Sequence, residues 1–253
     1  MEEIKYGKLT LLDEGYSYTI TDCEKDVTEV EIPAKVDGKY IRAIGHTAFD
    51  GCKELKSVIF PEYTDEDYMI CEVMEEIEGN AFMGCTSLTE LSLPQSIVTI
   101  GHGAFYGCTS LTTIDFNKNA YIAPYAFVGC SSLVNLPRVT NVSEGSFSEC
   151  DSLTFLPIED GITEICEETF ARCKSLVEVV IPASVERIEG LAFRSCMSLK
   201  RVVFESAGIW YSRNRYFEGL NEVDVSDPEK NARMLATMDF DDGVVEWCKS
   251  RRG

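Results

Sequence analysis

Seven phenylalanines set the frame of this 253-residue chain: Phe49, Phe82, Phe105, Phe127, Phe147, Phe170 and Phe193. The steps between them are 33, 23, 22, 20, 23 and 23 residues. Five residues before each stands an aliphatic: Ile44, Ile77, Ile100, Ile122, Val142, Ile165 and Ile188. Three residues after stands a cysteine: Cys52, Cys85, Cys108, Cys130, Cys150, Cys173 and Cys196. Six after comes leucine (55, 88, 111, 133, 153, 176 and 199), and nine after another aliphatic. Five apolar columns in register over seven copies mark a repeat architecture.

Within one copy, Leu111, Ile114 and Phe116 are spaced by three and then two, which predicts a short strand entered through a bend. Thr99 and Ile100 predict a second extended piece, and Gly101 a turn residue suited to unusual backbone angles. The Ala-Phe-x-Gly-Cys piece is too short for a helix and predicts a helical turn or tight loop. Pro61, Pro94 and Pro182 end the first strand. One copy cannot bury its own apolar face, but stacked copies cover one another, with strands ~4.8 Å apart.

The frame, standing here as IGHGAFYGCTSLTTIDF and again as IEGLAFRSCMSLKRVVF, resembles the BspA-like leucine-rich repeats, a class named for a bacterial surface antigen. The resemblance covers roughly residues 28–204. It extends more weakly to the tail from Trp210 through the turn at 225–228. It implies an α/β repeat fold: a right-handed leucine-rich-repeat solenoid, strand-dominated with short helical turns. The expected organisation is an N-terminal cap over 1–27, the solenoid over 28–204 with about seven to eight coils, and a C-terminal cap over 205–253.

Open solenoid ends expose strand edges and need covers. Alternating apolar residues around Glu14 and Gly15 predict a hairpin cap. Ser226, Asp227 and Pro228 predict a helix start, leading through Ala232, Met234, Leu235 and Met238. Trp247 is expected to pack on the last coil. Copies four and five are short, and their prolines come one place early, which leaves the strand register over 136–142 and 156–162 open.

The 33-residue step holds an acidic insertion near 62–76. It lacks the glycine and the ligand spacing of a calcium loop. It reads as a solvated loop or as a binding face, with Glu62, Tyr63, Asp65, Asp67 and Tyr68 as candidate contacts. The stretch GIWYSRNRYF joins aromatics to basic residues, and Trp210, Tyr211, Arg213, Arg215 and Tyr216 are candidate contacts there. The plainer reading of that stretch, set ahead of a partner site, is a capping segment whose aromatics cover the last coil.

Composition narrows the chemistry. The net charge is −20, from 23 basic and 43 acidic residues. That disfavours nucleic acid and anionic membranes, which bind cationic patches. No window is apolar enough to cross a membrane, and the first residues do not form a signal peptide. No C-x-x-C pair suggests zinc, and one cysteine per coil makes a line rather than a cluster. Equivalent cysteines on neighbouring coils point in parallel, so free thiols are expected, with phenylalanine and cysteine forming a buried spine. His46 and His102 occupy equivalent loop positions two coils apart, ~10 Å, too far to share one ion. No phosphate loop, nucleophile elbow or acid/base pair stands out.

These observations predict a non-enzymatic binding protein without cofactor, metal or catalytic residues, whose partner is a protein or a glycan. The resemblance implies adhesion or contact with a host or bacterial surface, and a cell-surface or secreted setting. An intracellular protein–protein scaffold is the alternative, and a signal segment in a longer precursor would exclude it.

Overall fold

The structure is a computed structural model. It describes residues 2–64, 67, 73–156, 158–206, 209–214, 220–237 and 245–249. Most coils contribute two short strands, which form two sets of parallel ladders in a strand-dominated solenoid.

The first ladder carries the residues just before the turn. Strands β6 (Lys39–Ile44), β8 (Glu76–Ile77), β10 (Thr99–Ile100) and β12 (Tyr121–Ile122) pair in parallel in that order. It resumes with β13 (Glu164–Ile165) and β15 (Arg187–Ile188). The second ladder runs through β4 (Glu29–Glu31) paired to β7 (Ser57–Ile59), then β9 (Glu90–Ser92) paired to β11 (Thr113–Asp115). It ends with β14 (Glu178–Ile181) paired to β16 (Arg201–Phe204). Because β4 precedes the first phenylalanine copy, a leading coil makes about eight turns.

The pleat explains the apolar columns. Inward residues alternate with outward ones in the short strands, and the Ile-containing and Leu-containing columns are buried at every copy except Leu136, which is partly buried. Between the ladders the chain makes successive turns rather than helix: Ala104 N–H donates to Gly101 O and Cys108 N–H to Phe105 O. The coil-to-coil ladder continues through this corner. Phe82 N–H donates to Ala104 O, and Phe105 N–H to Ala126 O, at 2.7 and 2.8 Å.

Two corner positions per coil have left-handed backbone. Two residues before phenylalanine these are Thr47, Asn80, Gly103, Tyr125, Gly145, Glu168 and Leu191. Two residues after they are Gly51, Gly84, Gly107, Gly129, Glu149, Arg172 and Ser195. The expectation for Gly101 is therefore corrected: its φ is not left-handed, and the unusual angles fall at these two other positions. Gly101 instead lies close against the preceding coil, where a Cβ would stand 2.6 Å from Gly79 N.

The short copies interrupt the first ladder. Among the described residues no strand lies between β12 and β13; two isolated bridges occur in the short copies, Thr113 to Asn135 extending the second ladder from β11, and Val139 to Ile158. A side chain substitutes for the missing backbone. Asn141 Oδ1 accepts from Ile122 N–H at 2.9 Å, and its Nδ2 donates to Ala120 O at 2.7 Å. A carboxamide carries the same donor and acceptor as a peptide group, so it fills a ladder position. Ser143 Oγ donates to Ile122 O beside it. Replacing Asn141 with leucine leaves both Ile122 N–H and Ala120 O unpaired, and about 2 kcal/mol of stability is expected to be lost. Chemical denaturation of the purified variant checks this; an unchanged midpoint would exclude the substitution of side chain for strand.

Each end is closed differently. At the N-terminus β1 (Glu3–Tyr6), β2 (Leu9–Asp13) and β3 (Ser17–Cys23) form an antiparallel meander, and β3 pairs in parallel with β6. The hairpin turns at Glu14 and Gly15 as the sequence predicts, with Gly15 N–H donating to Asp13. At the other end β19 (Val245–Lys249) pairs antiparallel with β15 and with β17 (Trp210–Asn214), and β17 pairs with β18 (Leu220–Val223). Helix α1 (Pro228–Thr237) covers β16. Asp227 caps α1 by accepting from Glu229 and Lys230 N–H, and Pro228 occupies the first turn. The buried Asn231 donates to Val202 O, and Ala236 O accepts from Ser195 N–H, so the helix takes up polar groups of the last coil. Met238 lies outside the described residues.

Candidate functional site

The spine forms as the repeat predicts. All seven phenylalanines are buried, and consecutive rings stack at 4.8, 5.3, 5.1, 5.2, 5.8 and 5.6 Å. The seven cysteines are buried and free. What the sequence did not disclose is why this column is cysteine. From Cys85 onward each thiol donates to the carbonyl of the phenylalanine one coil back, at 3.1–3.3 Å. The oxygens of Phe49, Phe82, Phe105, Phe127 and Phe170 also accept the amide of their own coil's cysteine, so both lone pairs are used there. A small apolar residue with a weak donor meets both demands.

Burial keeps these thiols protonated. It pushes Cys130 and Cys196 up to about 12, and Cys85, Cys108, Cys150 and Cys173 upward as well. A nucleophilic cysteine needs the opposite shift. In the folded chain, thiols 85–196 of the column are therefore expected to react with a water-soluble alkylating reagent roughly 100-fold slower than in the unfolded chain. Peptide mapping after timed alkylation measures it, and rapid labelling of this column would exclude the spine.

Both histidines are exposed at their corner positions. His102 meets Tyr125 edge-on at 5.5 Å. Near the C-terminal end, Glu164, Cys166 and Glu189 bring ligand atoms within 4.8 Å of one another. Arg187 already pairs with both carboxylates. The side chains of Glu164 and Arg187 also line a shallow cleft of about 450 Å³ beside Cys248 and Lys249.

The insertion residues have different surroundings. Glu62 is exposed. Tyr63 packs against the core, and its hydroxyl accepts from Met74 N–H at 3.0 Å. Asp67 accepts from Thr64 N–H and Oγ1 and from Tyr40, and the Thr64 donors hold its carboxyl at about 2. Tyr63 and Asp67 thus anchor the loop. Asp65 and Tyr68 lie outside the described residues.

The C-terminal candidates separate too. Trp210 is fully buried and meets Phe204 edge-on at 4.9 Å, so as a partner contact it is corrected to a cover for the last coil. Its side chain points inward because β17 is held between β18 and β19. Tyr211, on the opposite face of the strand, is partly exposed. The side chain of Arg213, and all of Arg215 and Tyr216, lie outside the described residues.

A surface feature went unread in the sequence. Val134, Phe155 and Val177 belong to consecutive coils and are 43, 57 and 42% exposed. They stand seven or eight residues after their phenylalanines, on the outer side of the second ladder. Other coils place Lys56, Thr89, Thr112 and Lys200, or Glu90 and Arg201, at these positions. A tally of the outward positions, rather than of the apolar columns, would have found them. The neighbouring charges pair from coil to coil: Asp151 with Lys174 at 2.8 Å and Glu178 with Arg201 at 3.7 Å. Exposed apolar residues together with paired charges are the composition of a protein-binding surface.

A family model described as the BspA type leucine rich repeat region matches six copies, over residues 16–68, 66–143 and 140–237. No curated protein matches the sequence. Among solved structures, the leucine rich repeat protein of T. pallidum is 24% identical, with a TM-score of 0.53, over 81% of this chain and 84% of that one. A leucine-rich repeat protein from Bacteroides ovatus is 20% identical over 80% of this chain and 71% of that one, with a TM-score of 0.44. A leucine rich cell surface protein from Faecalibacterium prausnitzii is 16% identical over 94% and 98%, with a TM-score of 0.33.

Proposed function

The chain belongs to the BspA-type leucine-rich-repeat family, and from that premise we propose that it is a non-enzymatic scaffold that binds a protein partner on the outer face of its second ladder. The observation that carries this reading is the apolar row Val134, Phe155 and Val177. Single exposed apolar residues are ordinary, but exposed ones on three consecutive coils of a rigid array suit a docking face. The solenoid supplies the rigidity, so little conformational entropy is lost on docking. An aromatic centre with ion pairs at its margin suits a protein better than a sugar.

The setting we attach first is adhesion or contact at a cell surface, as the resemblance implies. An intracellular scaffold is the second reading, favoured by the column of seven unbridged thiols, since secreted chains tend to use cysteine for disulfides.

The test compares the wild-type chain with a Val134→Asp, Phe155→Asp double variant, both checked for unchanged circular dichroism. Each is offered host-surface extract, cytosolic extract and a glycan array. A protein ligand held at least ten-fold more weakly by the variant is expected, since an interface anchor contributes about 2 kcal/mol or more. Equal binding by both chains would place the partner on another face. Binding to glycans alone would overturn the protein reading.

A further inference from the structure

Three cations meet at the C-terminal end of this acidic chain. Lys200 and Arg201, at the entry to β16, and Arg233, on α1, line one open cleft of about 430 Å³. Leu199 supplies its apolar part, and Glu229 is the one carboxylate among the described lining residues. All three cations are exposed. The fold brings them together, since Arg233 is distant from Arg201 in the chain. Helix α1 reaches β16 because the buried Asn231 donates to Val202 O and to Val225 O. It is held again near its end, where Ala236 O accepts from Ser195 N–H. Glu229 and Arg233 are four residues apart and share one face of that helix.

We propose that this cleft between the last coil and α1 binds the carboxylates of an acidic peptide segment on a partner protein. The inference goes beyond the apolar row and stands without it. A net charge of −20 makes the chain as a whole repel an acidic segment. The cleft is a local exception, with three cations to one lining carboxylate. The anion already beside it is loosely held: Glu178 pairs with Arg201 at 3.7 Å, and both side chains are about half exposed. An exposed pair of that length contributes little, so a ligand carboxylate can take its place. The guanidinium forks of Arg201 and Arg233 match a carboxylate with two parallel hydrogen bonds, and Lys200 adds a point charge.

The position favours a peptide over a phosphate ester or a sulfated glycan. Lys200 N–H donates to Val177 O at 2.9 Å, so the cleft lies one coil on from the exposed Val177. Neighbouring coils are ~4.8 Å apart, a distance that one or two extended residues span. A peptide with an apolar residue beside acidic ones can therefore meet Val177 and the cations together. A phosphate or sulfate carries no apolar group for Val177 or Leu199.

The experiment measures fluorescence anisotropy of a dye-labelled peptide, one leucine followed by four glutamates, with the full chain at low salt. Binding is expected, and it should weaken roughly ten-fold when the salt is raised from about 50 mM to about 300 mM. Lys200→Glu should weaken it roughly ten-fold as well. Lys56→Glu, at the equivalent outward position of the first copy, should leave it unchanged. In the wild-type chain the peptide should slow amine acylation of Lys200 roughly three-fold while Lys56 stays reactive, a reading that needs no variant to fold. The Val134→Asp, Phe155→Asp variant should still bind the peptide, which keeps this site separate from the row. No binding by the wild-type chain, or equal binding by Lys200→Glu, overturns the proposal. Tighter binding of inorganic phosphate or of a heparin oligosaccharide, with the same protection of Lys200, overturns the peptide as the ligand class.

Discussion

Replacing Phe127 with alanine is expected to remove about 3–5 kcal/mol of stability, the range for deleting a buried aromatic ring. Phe127 has three ring neighbours among the described residues: Phe105 at 5.1 Å, Phe147 at 5.2 Å and Phe116 at 6.0 Å. Stacked rings at such distances add to the area they bury. The position matters as much as the size. Phe127 sits beside the gap in the first ladder, where Asn141 substitutes for a strand. In a solenoid each coil is held by its neighbours, so a cavity there weakens the one interface joining the two halves. Unfolding is expected to divide into two transitions, with amides of coils 44–116 and of coils 165–204 exchanging separately. Denaturant titration with hydrogen exchange measures both effects. A single transition with a loss below about 1 kcal/mol would mean that the spine is not the unit of coupling.

Trp247→Ala should lose a comparable amount, again about 3–5 kcal/mol, but by a different route. Trp247 is fully buried, lies opposite Ile188 across the β15–β19 pairing, and stacks on Phe204 at 5.9 Å. It joins the closing strand to the last coil of both ladders. Its loss frees the edge of β15 and uncovers apolar residues of the final coil, including Ile188. Fraying from the C-terminal end is the expected result: faster exchange around 188–204, with protection around 44–100 retained. Aggregation at lower temperature should accompany it, since an exposed parallel edge invites pairing between chains. Uniform loss of protection along the array would show that Trp247 is not an end cover.

Much of the fold was legible because the repeat averages out local ambiguity. A lone Leu111-Thr-Thr-Ile114 is weak evidence for a strand, but seven aligned copies fix which residues face inward. The hairpin at Glu14 and the helix start at Asp227 were legible for another reason: turn and cap residues act locally, through hydrogen bonds to their own backbone. The turn angles were not. Thr47, Tyr125 and Leu191 hold left-handed backbone that a sequence reading assigns to glycine. The ladder bonds on both sides impose it. Trp210 reads in the sequence both as a cover for the last coil and as a partner contact, because an aromatic beside basic residues has the composition of an interface. Only the pairing of β17 between β18 and β19 turns it inward. The row at Val134, Phe155 and Val177 was missed because it spans three coils and looks unremarkable in each.

The sequence alone determined the coil, its period and the burial of its columns, since these depend on a repeating apolar pattern that can be covered only by stacking. It also determined that the cysteines form a line. The tertiary structure decided what lies opposite each residue across a coil boundary. That is why the column's thiols, from Cys52 at Glu24 O to Cys196 at Phe170 O, each meet a carbonyl one coil back. It is also why the amide of Asn141 completes a ladder. Contacts between residues about 20 or more positions apart depend on coil lengths summed over the whole array, and no single stretch of chain carries that sum.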